Sequence, residues 1–238
     1  MITILHAADL HLDSAFSGRG EGATGRLRVA LRSVPEQICA LCTQEACDLL
    51  LLSGDVFDGV PTAESVRLLK QALSQIHIPV FIAPGNHDFY TPNTPWALGT
   101  WPEHVHIFTR PVVESVALPE LACRIYGAAF TAMDCDPLLE GFSLQGDEKY
   151  HIALLHGDPL LQNSPYNPIT QAQVRDSGLD YLALGHVHKQ GSFYAGKTLC
   201  AWPGCAMGRG YDELGEKGVL LVTVADNVST RFIQSPKR

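Results

Sequence analysis

Residues 49–58 read LLLLSGDVFD, in which four leucines are followed directly by small and acidic residues. A short apolar run bounded by turn-forming residues is typical of a strand buried on both faces, as in parallel sheets. Gly54 and Asp55 follow the predicted strand, and Asp58 belongs to the same loop. This segment therefore predicts a parallel strand that ends in a loop rich in ligand-type side chains.

The neighbouring sequence repeats this arrangement. Residues 2–6 and 80–83 also read as strands, and the stretches between the strands, 26–46 and 63–76, carry apolar residues at helical spacing. Alternating strands and helices predict parallel strand pairing with right-handed crossovers.

Strands dominate the second half of the chain. They are predicted at 105–108, 112–117, 124–126, 151–155 and 181–184, with a helix at 171–177 and two hairpins, 191–194 with 198–201 and 218–224 with 228–233. We find no internal repeat and no linker long enough to separate domains. Residues 1–238 are therefore predicted to form a single α/β domain with a mixed second sheet.

Polar clusters follow five of the predicted strands. They are Asp9-x-His11, Gly54-Asp55, Gly85-Asn86-His87-Asp88, His156-Gly157-Asp158 and Gly185-His186-Val187-His188. In open α/β sheets, ligands bind in the crevice beyond the carboxyl ends of the strands. One His or Asp at a strand end is usually a cap or a solvated loop residue, but five clusters in register favour a metal site.

The candidate metal ligands are carboxylates, imidazoles and an amide, without a thiolate: Asp9, His11, Asp55, Asn86, His156, His186 and His188. This set is larger than one tetrahedral site uses, and it suits two ions of higher coordination number. A carboxylate such as Asp55 can bridge two cations, and the glycines before Asp55, Asn86 and His186 permit tight backbone. The other histidines are interpreted as structural or surface residues: His6, His77, His104, His106 and His151.

In their order along residues 9–188, these motifs resemble those of the calcineurin-like metallophosphoesterase superfamily. The resemblance implies two facing mixed β-sheets flanked by helices, a four-layer sandwich, with a dinuclear centre at one edge. It also implies two ligand sets joined by a bridging Asp55: Asp9, His11 and His188 for the first metal, and Asn86, His156 and His186 for the second.

The expected chemistry is phosphoester hydrolysis by a hydroxide that two divalent ions activate. We expect Mn²⁺, with Fe, Zn, Co and Mg as alternatives. Asp55 and His87 are the expected catalytic residues, and His87 would face the phosphate and assist the leaving group rather than bind metal. Asp58 and Asp88 are expected to orient ligating histidines.

Further stretches resemble DNA-repair nucleases of the SbcD type and the related YhaO group. They are residues 6–13 and 177–189, Trp202-Pro203-Gly204, and Glu216-Lys217-Gly218-Val219. In that group the Pro-Gly loop and the Lys-Gly strand close the second sheet; an ordinary turn and hairpin is the alternative. Longer members carry a capping domain and a segment that docks on a coiled-coil ATPase. Because the sequence stops at Arg238, we expect no capping domain. Whether the protein has an SbcC/YhaN-like ATPase partner is left open.

The leading prediction is a metal-dependent phosphodiesterase acting on DNA, as an exonuclease or endonuclease in DNA repair. The first alternative is a phosphodiesterase or phosphatase for a small nucleotide or another small phosphoester. The second is an inert binding protein that kept the fold and lost catalysis, which is disfavoured because every ligand position and His87 are filled. Whether the protein forms a homodimer is left open.

The charge balance limits how nucleic acid could be held. The chain has 17 basic and 25 acidic residues, for a net charge of -8, whereas nucleic-acid binders usually carry a basic surplus. This balance favours a short DNA end, a small diester or a missing basic partner. The candidates for contacting substrate are Lys189, Arg209, Tyr211, Phe89 and Tyr90.

Cysteine usage and hydropathy predict a soluble, cytoplasmic protein without membrane contact. Seven cysteines cannot form a complete set of disulfides, and the first ten residues lack the basic start of a signal peptide. The longest apolar run, Leu49–Leu52, is far shorter than the ~18 residues of a membrane span. Cys39-x-x-Cys42 lies in a predicted helix without a second pair, which favours buried thiols over a zinc site.

Overall fold

The computed structural model describes residues 1–16, 21–209, 213 and 215–235. Its strands are β1 (Ile2–Ala7), β2 (Leu49–Leu52), β3 (Val80–Ile82), β4 (Val105–Ile107), β5 (Glu114–Leu118), β6 (Cys123–Gly127), β7 (Tyr150–His156), β8 (Tyr181–Gly185), β9 (Gly191–Ala195), β10 (Thr198–Trp202), β11 (Gly218–Val224) and β12 (Val228–Gln234). Its helices are α1 (Glu21–Arg32), α2 (Val34–Gln44), α3 (Ala63–Leu73), α4 (Pro95–Leu98) and α5 (Gln171–Ser177), and Pro119–Leu121 form a 3₁₀ turn.

The strands form two mixed sheets of six. The first has the order β12-β11-β1-β2-β3-β4, and the second has the order β5-β6-β7-β8-β10-β9. Strands β1 to β4 are parallel, and β11 and β12 continue their sheet antiparallel. In the second sheet β6, β7, β8 and β10 are parallel, with antiparallel β5 and β9 at the edges.

The leucines of β2 show how the layers are packed. Leu49 and Leu51 belong to the apolar core between the two sheets, while Leu50 and Leu52 belong to the core that α2 and α3 cover. Side chains of a strand alternate between faces, so a strand with both faces covered must be apolar throughout. Full burial of each leucine contributes about 1.5–3 kcal/mol.

A third apolar core lies on the far side of the second sheet, where Val174 of α5 packs with Leu155 and Leu182. The layers are therefore helices, sheet, sheet and helix. The predicted fold class, two facing mixed β-sheets flanked by helices, is confirmed.

The single helix predicted over 26–46 is wrong. The chain forms α1 and α2 instead, with Ser33 between them. Pro35 lies in the first turn of α2, where its missing N–H costs nothing, whereas inside one continuous helix its ring would clash with the preceding turn. Helix α1 begins at Glu21, upstream of the predicted start at residue 26.

The Lys-Gly strand also differs from expectation. Strand β11 pairs antiparallel with β1 in the first sheet and does not close the second. Its Val222 and Val224 fill the core between the sheets, so the strand extends the buried side of the first sheet.

Two expectations about apolar segments can be compared with the structure. Cys39 and Cys42 are buried in the core beneath α2 and α3, as predicted, and burial raises the pKa of the Cys39 thiol to about 12. Within the described ranges, none of the helices combines the length and apolarity needed to cross a bilayer.

Candidate metal centre

The loops after β1, β2 and β3 of the first sheet meet the loops after β7 and β8 of the second sheet at one rim of the sandwich. This meeting brings all seven predicted ligands together, in two groups that share one carboxylate. Five of them are buried, whereas the side chains of His186 and His188 are 19% and 33% exposed. The cluster therefore opens to solvent on the side of the β8 loop.

The first group consists of Asp9, His11 and His188, whose ligand atoms all lie within 4.8 Å of one another. The Nε2 atoms of His11 and His188 face each other at 3.1 Å. Oδ1 and Oδ2 of Asp9 also accept the backbone N–H of His186, at 3.0 and 3.2 Å. The first sheet is thereby tied to the β8 loop of the second.

The second group is organised around Asn86. Its Oδ1 lies 2.9 Å from Nε2 of His156 and 3.3 Å from Nδ1 of His186. Asn86 extends from the first sheet, and both histidines extend from the second. This group therefore also straddles the two sheets.

Asp55 lies between the two groups. Its Oδ2 is 3.6 Å from Nε2 of His11 and 3.4 Å from Nε2 of His156. Its Oδ1 accepts the backbone N–H of His87 at 2.9 Å, which fixes the carboxylate plane. Asp55 thus faces a histidine of each group through the same oxygen, as a bridging ligand would.

The loops that carry the ligands have unusual backbone conformations. Asp9, His11, Asp55 and His186 all have positive φ, at 51°, 46°, 51° and 93°. Such conformations cost of order 1–3 kcal/mol each and persist only where the surroundings fix them. Here the β1 and β2 loops fix each other, because the N–H groups of Asp9 and His11 donate to the carbonyls of Gly54 and Asp55.

The glycines before the ligands are needed mainly for space. A Cβ at Gly85 would overlap the Asp55 carboxylate, and one at Gly185 would overlap the Ser53 carbonyl, although neither residue has positive φ. Of the three, only Gly54 combines a positive φ, 83°, with such a collision, in its case with the His156 ring. The predicted conformational role holds at Gly54, and close packing explains the other two.

Hydrogen bonds fix which ring nitrogens face the cluster. Nδ1 of His156 lies 2.9 Å from the Ser53 carbonyl, and Nδ1 of His188 lies 2.9 Å from Oε1 of Glu213. The Ser53 carbonyl can only accept, so it holds the proton on Nδ1 of His156 and leaves Nε2 with a free lone pair. Nδ1 of His188 is shared between the Glu213 carboxylate and the Arg209 guanidinium, which lies 3.1 Å away, and the two partners together orient the ring. Asp58 lies 3.5 Å from Nδ1 of His11, but this buried nitrogen has no hydrogen-bond partner among the described residues, so its protonation is not set in this way.

This arrangement fits a pair of cations. The Nε2 atoms of His11 and His188 lie 3.1 Å apart, and Nε2 of His156 faces the oxygens of Asn86 and Asp55. Acceptors that point at one another repel unless a positive charge lies between them. Burial lowers the pKa of His156, but the Asp55 and Asp9 carboxylates outweigh it and raise this pKa to about 9, which reflects how much negative charge surrounds the ring.

His87 lies at the solvent-exposed mouth of the centre. Its Nδ1 is 2.8 Å from Oδ1 of Asp58, its side chain is 41% exposed, and its ring packs edge-on against the ring of His11. The hydrogen bond to Asp58 is the main reason that the pKa of His87 is raised. Because Asp58 occupies Nδ1, the opposite ring nitrogen is the one that can serve a substrate.

The two predicted orienting carboxylates have different roles. Asp58 lies 3.5 Å from Nδ1 of the candidate ligand His11, forms its hydrogen bond with His87 instead, and accepts another from Ser14 at 2.6 Å. Asp88 contacts backbone instead of a histidine. It accepts N–H groups from the loop around Asp55 and from Gly85, and so holds the β2 and β3 loops together.

Glu213 is a site residue that sequence reasoning missed. Besides His188, it binds Arg209 through the backbone N–H at 2.7 Å and through the guanidinium at 2.7 and 3.1 Å. Arg209 in turn reaches Ser14 at 3.3 Å and lies 3.8 Å from Asp58. No motif flags Glu213, because its segment follows β10 without a recognisable pattern.

The other predicted substrate contacts are dispersed. Lys189 is exposed beyond the β8 loop, Phe89 is half-buried beside His87, and Tyr90 packs against the apolar cores. Arg209 is largely occupied by Glu213. Tyr211 lies outside the residues that the structure describes.

Comparison with known proteins places this arrangement in a family. The calcineurin-like phosphoesterase family model matches residues 2–190. The uncharacterized metallophosphoesterase YhaO of Bacillus subtilis is 33% identical over 250 aligned residues, covering 97% of this chain and 60% of that protein. The SbcD component of the nuclease SbcCD of the same organism is 23% identical, covering 92% of this chain and 65% of that protein.

A third relative is the DNA double-strand break repair protein Mre11 of Saccharolobus solfataricus. It is 25% identical over 79% of this chain and 50% of its own length. The chain therefore spans only 50% to 65% of the length of these three relatives.

Solved structures support the fold. A dimetal phosphatase from Danio rerio superposes with a TM-score of 0.59 at 10% identity, covering 97% of this chain and 96% of that one. Members of the family depend on a dinuclear metal centre, and the present chain carries clusters of candidate ligands at one edge of its two sheets. The chain belongs to the calcineurin-like phosphoesterase family.

Proposed function

We propose that the chain is a phosphodiesterase that uses two divalent metal ions to hydrolyse DNA. The observation that carries this proposal is the position of Asp55, whose Oδ2 faces His11 of one ligand group and His156 of the other. Two groups of donors joined by a carboxylate suit a pair of ions better than a single ion.

The proposed ligands follow from the two groups. Asp9, His11 and His188 would hold one ion, and Asn86, His156 and His186 the other, with Asp55 shared. When bound, the ions lower the pKa of a water molecule and neutralise phosphoryl oxygens during in-line attack. Oxygen and imidazole donors without thiolate suit Mn²⁺, which we propose as the native ion.

His87 completes the proposed reaction. Hydrolysis forms one bond from water oxygen to phosphorus and breaks the bond to the ester oxygen, which must then take up a proton. Because Asp58 binds Nδ1 and favours the protonated ring, His87 can donate that proton from its other nitrogen. The exposure of this ring gives a substrate access to it.

DNA is proposed as the substrate because two of the relatives, Mre11 and the SbcCD component, carry DNA-repair or nuclease names. The net charge of -8 supports a limited contact rather than a long track, since a basic surface is what long duplex contacts require. A short or frayed DNA end would meet that limit.

A substrate panel tests the proposal. Metal-free protein would be loaded with Mn²⁺, Mg²⁺ or Zn²⁺ and offered single-stranded DNA, double-stranded DNA, small diesters and monoesters. We expect release of nucleotides with Mn²⁺, and its loss in Asp55→Asn together with lower metal content by elemental analysis. An exposed substitution, Glu216→Gln, is the matched control.

The same substrate panel distinguishes the nuclease from the second candidate function, a hydrolase of small phosphoesters. Turnover of small diesters or monoesters with DNA left intact would replace the nuclease by a small-phosphoester hydrolase, which the acidic net charge also allows. Activity that is equal in wild type and Asp55→Asn would overturn the dinuclear site itself.

A further inference from the structure

A cavity of about 160 Å³ adjoins the proposed metal centre on the far side of His87. Its walls come from two segments, the loop after β2 and the stretch that follows the Gly-Asn-His-Asp motif. The residues that matter for its chemistry are Val60, Pro61, Phe89, Asn93 and Pro95, with His87 at its edge.

The lining of this cavity is unusual for its position. The cavity is mostly apolar although it lies beside a cluster of buried carboxylates and imidazoles. Val60 is 96% exposed and therefore contributes little to the folded core, and Phe89 is only half-buried. A concave, mostly apolar space next to a few convergent polar groups is the usual character of a ligand pocket.

His87 connects the cavity to the reacting centre. Its backbone N–H binds Oδ1 of Asp55, and its ring packs on His11, so one side of the residue faces the ligands. The residue also lines the cavity. A phosphoester whose phosphate lies against the metal centre can therefore extend past His87, on the side of the proton donor, into this space.

The size and the lining limit what can occupy the cavity. A cavity of about 150 Å³ accommodates one benzene ring, so this one has room for a single ring system and not for a base pair. Phe89 offers an aromatic surface for stacking, and Asn93 offers an amide that can both donate and accept hydrogen bonds. Those are the features that bind an unpaired base.

We infer that this cavity, bounded by Val60, Pro61, Phe89 and Asn93, binds one unpaired nucleobase next to the phosphodiester that is cleaved. The inference rests on the proposed function and narrows it, because it requires a substrate whose terminal base is unpaired. It also explains how an acidic chain can hold DNA, since base stacking needs no basic track.

The test compares oligothymidylates that carry an abasic residue on one side or the other of the cleaved bond with the unmodified oligomer. Affinity would be measured by fluorescence anisotropy in Ca²⁺, and cleavage in Mn²⁺. Stacking of one base contributes about 1–3 kcal/mol, which corresponds to a preference of roughly 5- to 150-fold for the unmodified oligomer. Phe89→Ala should bring this ratio close to one.

The ratio keeps the test independent of folding. A loss of folded protein or of metal lowers binding of both oligomers and leaves their ratio unchanged. The matched control is Leu98→Ala, which removes a 72% exposed apolar side chain that does not line the cavity, and it should retain the wild-type ratio.

The outcomes separate this inference from the proposed function. Equal affinity of wild type for unmodified and abasic oligomers overturns the base site, even if DNA is cleaved. A base preference that Phe89→Ala abolishes, without any cleavage of DNA, supports the base site and overturns the nuclease. Failure to bind either oligomer overturns both.

Discussion

Nδ1 of His87 lies 2.8 Å from Oδ1 of Asp58, and Asp58 also faces Nδ1 of His11 at 3.5 Å. One carboxylate thereby serves both the proposed proton donor and a proposed metal ligand. Asp58 therefore lies beside both the proposed proton donor, His87, and the buried ring of His11. Substitutions of His87 and of Asp58 can separate the effect on proton donation from the effect on the metal site.

Replacement of His87 by alanine should remove proton donation and spare the metals. We expect turnover of a diester with an alkoxide leaving group to fall by about 10²- to 10⁴-fold. An ester of p-nitrophenol should lose much less, because its leaving group departs without a proton. Metal content, measured by elemental analysis, should stay at the wild-type value; equal losses on both esters would argue against the role.

Asp58→Asn should move the pH dependence of kcat/KM. The carboxylate raises the pKa of His87, and the protonated ring is active, so activity is present below that pKa and lost above it. Loss of the negative charge lowers the pKa, and the decline at high pH should begin at lower pH. Ser14→Ala removes a neutral donor to Asp58 and an acceptor for Arg209 but leaves the Asp58 charge in place, so it should produce a smaller shift.

Glu213→Gln should weaken metal binding at His188. The carboxylate lies 2.9 Å from Nδ1 of that ring and orients it, and loss of such a partner typically costs 10- to 100-fold in metal affinity. Titration calorimetry with Mn²⁺ would measure the effect, with Glu213→Asp expected to retain part of the affinity. Glu216→Gln makes the same chemical change at an exposed position and should bind Mn²⁺ like wild type.

His6→Gln should reduce the pH dependence of stability. His6 is buried between Tyr181 and Ser53, at 2.7 and 2.8 Å, and burial lowers its pKa to about 3. The folded ring is neutral, so stability is complete above the unfolded pKa near 6.5 and falls as the unfolded chain binds a proton below it. Between pH 7 and 5.5 this group should account for about 1 kcal/mol.

Urea unfolding of metal-free protein at both pH values would measure this effect as the difference between wild type and variant. The exposed His77→Gln is the control and should keep the wild-type slope. If the free energy of unfolding changes with pH equally in wild type and His6→Gln, His6 is not the cause of the pH dependence.

The convergence of the candidate ligands at one rim was predictable because the order of the strands determines where their ends meet. Each of Asp9, Asp55 and Asn86 follows an apolar strand closely, so alternation of strands and helices was enough to place them at one rim. His6 was interpreted as a structural or surface residue because it lies outside the five clusters, and the structure places it buried in β1.

Other features depend on long-range contacts that local sequence does not encode. Glu213 meets His188 from a distant part of the sequence, and nothing in the residues around it indicates that contact. The pairing of β11 with β1 likewise depends on the first sheet having an open edge. The break before Pro35 was visible in the sequence, but the apolar spacing across it favoured one helix.

The proposed ligands come from both sheets, and this origin has a mechanical consequence. Asp55 and Asn86 belong to the first sheet and His156 to the second, so any ion held between them acts as a crosslink across the sandwich. An ion that binds only the folded state stabilises it in proportion to the logarithm of its concentration. Separation of the two sheets and release of the metals should therefore be one event, which makes unfolding of the loaded protein a direct report on occupancy of the centre.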